Sequence, residues 1–239
     1  MVASYAGQLR PVLDRVYATA RIAGRDRVRS VYHELGLRPG LELDFYCGLL
    51  QRPMPADAYA AVTTYDRLDP ARALDQGTAT VDAEGTWRLT ATGRELALAV
   101  QRAVGEGAEE LWSRRPIATM PGLTVLPRLV DLVGRLLEAG HATGGPAFRA
   151  LAPVYEPDDA SPAVRLTTRL GALRHHRADA HRSAWRDAGL TVEEISALPD
   201  GPRRRAVEDE TNCLDEPIYA ALTTDERLEL IASLGALSG

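Results

Sequence analysis

The 239 residues contain no lysine; all 28 basic residues are arginine. That excludes a lysine Schiff base, a P-loop lysine and a lysine general base. Arginine codons are GC-rich, so coding bias accounts for the substitution without reference to function. Cysteine is almost as scarce. Cys47 and Cys213 are too few for a disulfide framework or a four-thiolate zinc site. Aromatics make up 5% of the chain, with two phenylalanines. No apolar run approaches the roughly 18 residues of a membrane helix, and no signal peptide opens the sequence. The expectation is a soluble cytoplasmic protein without membrane contact. Nucleophile elbow, P-loop, dinucleotide fingerprint and HExxH strings are all missing. The net charge of −5 disfavours a dominant nucleic-acid surface and leaves room only for a local basic face.

What is present is mostly helical periodicity. The spacing predicts a helix over 8–34, interrupted or turned at Gly24 and ended by Gly36 and Pro39–Gly40. Shorter helices follow over 41–50, from Pro55 through Tyr65, and from Asp69–Pro70 through Leu74. The period then changes to two. Thr78–Val81 and Thr86–Leu89 read as strands around a four-residue hairpin loop. A long helix runs from Thr90 to about Trp112, and the proline-bearing stretch Arg114–Gly122 is the candidate boundary. Helices are expected over 125–139, 147–151, 163–188, 203–214 and 224–237. Thr191 with Glu194 forms a capping box, whereas Thr224 with Arg227 does not. The fold class is therefore mainly α. It is a helical bundle with a winged-helix-like segment and a small β-hairpin, in an N-terminal half 1–113 and a C-terminal half 123–239.

The densest polar string is Arg174-His175-His176-Arg177-Ala178-Asp179-Ala180-His181-Arg182, inside the helix 163–188. At about 100° per residue, Arg174, Arg177 and His181 share one face, with Trp185 one turn on. Two guanidiniums with a histidine suit sulfate, phosphate or carboxylate, so these four are the candidate substrate-binding residues. Asp179 lies on another face, three residues from His176 and four from His175. Asp179 and His176 are candidate catalytic groups. The alternative is an Arg–Asp–His network tying helices together. His176 and His181 diverge by about 140°, so no metal site is assigned. Among the acids at 208–216, Glu208 and Asp215 are seven apart and share a face. Glu208 is the third candidate catalytic residue, as a base if burial raises its pKa. Cys47 has no local cue to reactivity. Tyr17, Tyr46 and Tyr65 read as core edges of the N-terminal half.

Three resemblances follow from these strings. Trp87-Arg88-Leu89-Thr90-Ala91-Thr92-Gly93-Arg94-Glu95-Leu96 resembles the wing-to-helix junction of MarR-like proteins. The segment Leu173–His181 with Ala188-Gly189-Leu190, the stretches Pro11–Tyr17, Glu34–Leu37 and Tyr46–Tyr65, and the closing Glu208–Leu222 resemble an actinobacterial family of helix-turn-helix or winged-helix proteins. That family carries an L-R-x-H-R-G-D-G-H-like motif. Here both motif glycines are alanine, Ala178 and Ala180, Leu13 stands where the family has histidine, and Gly201–Glu210 is too short for a C-terminal wing. Through its class and its anion face, without a residue-by-residue motif, the chain is also similar to the aziridine-forming enzymes of azinomycin-type antibiotic pathways. Those enzymes displace sulfate intramolecularly and work as a two-protein complex.

Two functions are expected to compete. One is a secondary-metabolite enzyme, a cofactor-independent lyase or cyclase. It would hold an anionic small molecule on Arg174, Arg177, His181 and Trp185, with a homodimer or a small partner protein as its assembly. The other is a MarR-like regulator contacting DNA through Arg67, Arg72, Arg88 and Arg94. Its reading helix, about 69–76, carries Asp69 and Asp75, which oppose a phosphate backbone.

Overall fold

A computed structural model gives the fold and describes residues 4–39, 43–65, 70–114 and 125–238. Arg67, Asp69, the chain ahead of Leu43 in the second expected helix, and residues 115–122 of the expected linker lie outside the described residues. The described residues form a mainly α fold with one small hairpin. The helices are α1 (Tyr5–Glu34), α2 (Leu43–Gln51), α3 (Ala56–Val62), α4 (Pro70–Asp75), α5 (Ala91–Ser113), α6 (Leu126–Gly140) and α7 (Pro146–Leu151). Then come α8 (Pro162–Asp187), α9 (Val192–Ala197), α10 (Pro202–Asp215), a 3-10 helix (Glu216–Ala221) and α11 (Thr224–Ser238). Strands β1 (Ala79–Val81) and β2 (Trp87–Leu89) pair antiparallel, with Thr80 opposite Arg88.

Gly24 does not break the first helix. α1 runs straight through it because the missing side chain is needed for a helix crossing, not for a turn. A Cβ on Gly24 would stand 2.7 Å from the Val104 Cα, and one on Gly107 would stand 2.5 Å from the Gly24 Cα. The two backbones therefore meet along α1 and α5, the most extensive helix pair of the fold. Ser4 and Thr90 cap these helices by accepting from Gly7 N–H and Gly93 N–H.

The last helix is capped one residue earlier than the sequence suggests. Thr223, not Thr224, closes a capping box with Glu226: each side chain accepts the other's backbone N–H. Glu226 also takes Arg128 and Arg135 from α6, which pull its carboxyl down to about 2 together with the Thr223 N–H. A further strand contact is invisible to periodicity. Met54, between α2 and α3, bridges Trp87 of β2 through paired backbone hydrogen bonds.

One hydrophobic core runs through both halves, from Leu9 and Val16 of α1 through Leu96 of α5 and Leu132 of α6 to Leu170 of α8 and Leu234 of α11. A smaller cluster, Ala184, Trp185, Leu190, Ile195 and Val207, holds α9 and α10 to the end of α8. α8 thus lies between α5 and α6 on the core side and α10 on the other. No described helix is long and apolar enough to cross a membrane.

Candidate functional site

A cavity of about 310 Å³ opens between α1, α8 and α10. Arg174, Arg177 and His181 line it together, as their helical spacing requires. Arg10, Asp14, Tyr65, Asp215 and Tyr219 complete the polar wall. Arg10 and Asp14 come from α1, Asp215 from the end of α10, and Tyr65 from the turn after α3.

Each cation has a holder. The Arg174 guanidinium lies 4.4 Å over the Tyr17 ring, and its Nε–H donates to Asp14 at 2.9 Å. The Tyr17 O–H donates to Asp44, and burial, with Asp44 adding, pushes that phenol well above its ordinary pKa. Arg177 Nη2 donates to Glu208 at 3.2 Å, and Arg10 donates to the same Glu208 oxygen at 2.5 Å. Glu208 and Asp215, seven apart on α10, both face Arg177, because Asp215 Oδ2 lies 3.5 Å from Nη1. That approach lacks hydrogen-bond geometry, and the buried Nη1 has no hydrogen-bond partner. Tyr219 donates its O–H to Asp215, and burial, with Asp215 adding, keeps that phenol protonated.

His181 is fixed from behind. The Trp185 indole N–H donates to the Tyr65 oxygen at 2.9 Å. Burial raises the Tyr65 pKa, so its hydroxyl keeps a proton to donate to His181 Nδ1, also at 2.9 Å. In that tautomer Nε2 carries the ring proton, consistent with the Glu208 carboxylate 3.9 Å away from it. Nε2 is buried and without a hydrogen-bond partner. Burial holds the ring pKa below 6.5, against the pull of Glu208. The cavity wall therefore carries two buried N–H groups that lie near carboxylates but have no hydrogen-bond partner, Arg177 Nη1 and His181 Nε2. Leaving such groups unpaired costs about 1–3 kcal/mol each.

The other expected site residues lie elsewhere. Asp179 does not face the cavity and does not pair with His175 or His176. Its carboxylate accepts from Ala147 N–H and Phe148 N–H, capping α7, and from Arg182 one turn on. Arg182 also donates to the Ala61 carbonyl, which locks α8 to α3. Gly145 makes room for this: a Cβ there would stand 2.7 Å from the Asp179 carboxyl carbon. His176 is 2% exposed; its Nδ1 lies 2.7 Å from Asp215 and its Nε2 2.9 Å from the Thr143 hydroxyl. His175 contacts its own helix at the Gly171 carbonyl. Trp185 reaches the cavity only through Tyr65.

The described arginines expected to meet DNA each have a partner within the chain, although Arg88 stays exposed. Arg72 donates to the Pro39 carbonyl, Arg88 faces Asp82, and Arg94 donates to the Leu50 carbonyl and to Tyr155. Burial pushes the Cys47 thiol up, which suppresses its thiolate. Among the described residues, no three His, Cys, Asp or Glu side chains are grouped to hold a metal.

Sequence spacing could bring together Arg174, Arg177 and His181, and separately Glu208 and Asp215. It could not find Arg10, Asp14 or Tyr65, which lie more than 100 residues away along the chain and carry no local signal. No protein-family model, no curated protein and no solved structure matches this chain.

Proposed function

We propose that the cavity binds a small molecule carrying an anionic leaving group and promotes its loss, by elimination or by closure of a ring. The two unpaired buried donors, Arg177 Nη1 and His181 Nε2, carry this reading, because they are positioned to take acceptor oxygens. Donors already in place where negative charge develops lower the barrier without reorganisation. Arg10 and Arg177 now hold the Glu208 carboxylate, which occupies the seat of an anion. An entering sulfate, phosphate or carboxylate competes for that seat and frees Glu208. Glu208 then takes the proton of the attacking N–H or O–H. The new bond forms to carbon, the bond to the leaving oxygen breaks, and the anion departs with the electron pair. Alignment in the cavity supplies much of the rate. Aziridine closure with loss of sulfate, in secondary-metabolite synthesis, is one instance of this chemistry.

Asp179 and His176 have no part in this step. Asp215 acts by holding Arg177. A second reading, a winged-helix regulator, is favoured by one observation: the order α2, Met54 bridge, α3, α4, β1, β2 is that of a winged helix. The intramolecular partners of Arg72, Arg88 and Arg94, and the net charge of −5, weigh against it.

Thermal shifts at low ionic strength separate the two readings, with sulfate, phosphate or mixed-sequence duplex DNA added to wild type and to Arg177→Ala. Sulfate or phosphate should stabilise the wild type, by about 2.7 kcal/mol at 100 times its Kd. Arg177→Ala should lose that increment. Stabilisation by DNA alone, steeply salt-dependent and insensitive to Arg177→Ala, would sink the enzyme reading.

A further inference from the structure

A second groove, of about 520 Å³, lies on the opposite side of α8 from the cavity. Thr143 and His176 both line it. Thr143 sits in the turn after α6, with its N–H bonded to the Gly140 carbonyl and its side chain exposed. Its Oγ is 2.9 Å from His176 Nε2, and His176 Nδ1 is 2.7 Å from Asp215 Oδ1. A carboxylate only accepts, so Nδ1 carries the ring proton and Nε2 is left to accept from the Thr143 hydroxyl. Asp215 is itself pinned by Tyr219 and lies beside Arg177. The result is a hydroxyl, an imidazole in one tautomer and a buried orienting acid, joined by two good hydrogen bonds. That is the arrangement that activates a hydroxyl as a nucleophile.

We infer that Thr143, His176 and Asp215 form a nucleophilic triad, and that the groove accepts an ester or thioester of a small acyl group. Leu214, an exposed large apolar side chain, and Pro217 offer an apolar wall for the acyl chain, and Arg186 offers a cation at the rim. The Thr143 oxygen attacks the carbonyl carbon while its proton passes to His176 Nε2. The alcohol or thiol leaves with that proton, and the acyl group stays on Thr143. A water molecule, losing its proton to His176, then attacks the acyl-threonine; the acid leaves and Thr143 regains its hydroxyl. Asp215 is a positioning residue throughout. Asp215 also lines the cavity on the other face of α8, but the variants tested leave it in place, so failure of this inference leaves the anion reading untouched.

The test uses the full chain with p-nitrophenyl acetate, followed by stopped-flow absorbance and peptide mass mapping. The expected result is a burst of about one equivalent of p-nitrophenolate per chain and an acetyl group on Thr143. Thr143→Ala, a surface change, should abolish the burst, and Thr143→Ser should keep it. His176→Gln should slow it at least ten-fold with its fold checked by circular dichroism. Cys213 also lines the groove, so the burst must survive Cys213→Ala. No adduct on Thr143, an unchanged burst in Thr143→Ala, or a burst lost in Cys213→Ala overturns the inference.

Discussion

The two faces of α8 are built from the same residue types and are used in opposite ways. On one face Asp179 and Arg182, both under a tenth exposed, satisfy each other, the start of α7 and a carbonyl of α3. On the other, Arg174, Arg177 and His181 meet Asp14, Glu208 and Asp215 around open space, and two N–H groups stay unpaired. A closed network of buried charges fixes the positions of helices. An open one leaves donors unpaired, which the proposed anion would satisfy. The difference lies in whether other elements complete the pairing: α7 gives Asp179 two N–H donors and α3 gives Arg182 a carbonyl, whereas Arg177 Nη1 and His181 Nε2 are left without a hydrogen-bond partner.

The comparison breaks most visibly at Asp179. Asp179→Ala leaves Arg182 buried with a lost counter-charge and uncaps α7, which should cost about 3–5 kcal/mol. Urea denaturation measures it. A loss under about 1 kcal/mol would mean that the closed face is no more structural than the open one.

A smaller effect is expected at Tyr65→Phe. It removes the O–H donated to His181 and the acceptor of the Trp185 N–H, at about 1–3 kcal/mol. It also frees the His181 tautomer, so anion stabilisation should weaken while the fold persists. Thermal shift with and without sulfate reads both effects. Unchanged sulfate stabilisation would remove Tyr65 from the site.

The smallest expected effect sharpens the comparison by pH. Burial depresses the His181 pKa in the folded chain below its unfolded value of 6.5. The unfolded chain then binds a proton that the folded chain resists. The stabilisation is present above pH 6.5 and is lost as pH falls through the folded pKa. His181→Gln should flatten that acid arm of a Tm-against-pH curve relative to wild type. Parallel curves would show that His181 titrates freely and is open to water.

Legibility followed the range of the interactions. The helices were readable because their signals are local: apolar periodicity, the Thr191–Glu194 box, and proline at first turns. The hairpin was readable from its change of period. Gly24 misled because a glycine inside a helix is equally a breaker and a crossing point, and only the position of Gly107 decides between them. Thr223 was missed by one residue because the box depends on which threonine has the extended backbone. The shared arginine–histidine face was legible for the same reason as the helices: residues 174, 177 and 181 share a face of any α-helix. The role of Asp179 was not, since two of its partners, Ala147 N–H and Phe148 N–H, become available only when α7 docks.

Composition and local pattern were enough for a mainly α chain, a two-stranded hairpin, no lysine chemistry, and an arginine–histidine stripe on one helix. These are properties of composition and of neighbours within a few residues, where backbone geometry dictates who meets whom. The tertiary structure alone decided that α10 brings Glu208 and Asp215 to Arg177, that Tyr65 fixes the His181 ring, and that His176 joins Asp215 to Thr143. Those contacts link residues 31 to 116 positions apart. Packing of the shared core selects them, because it fixes which helix faces stand opposite one another.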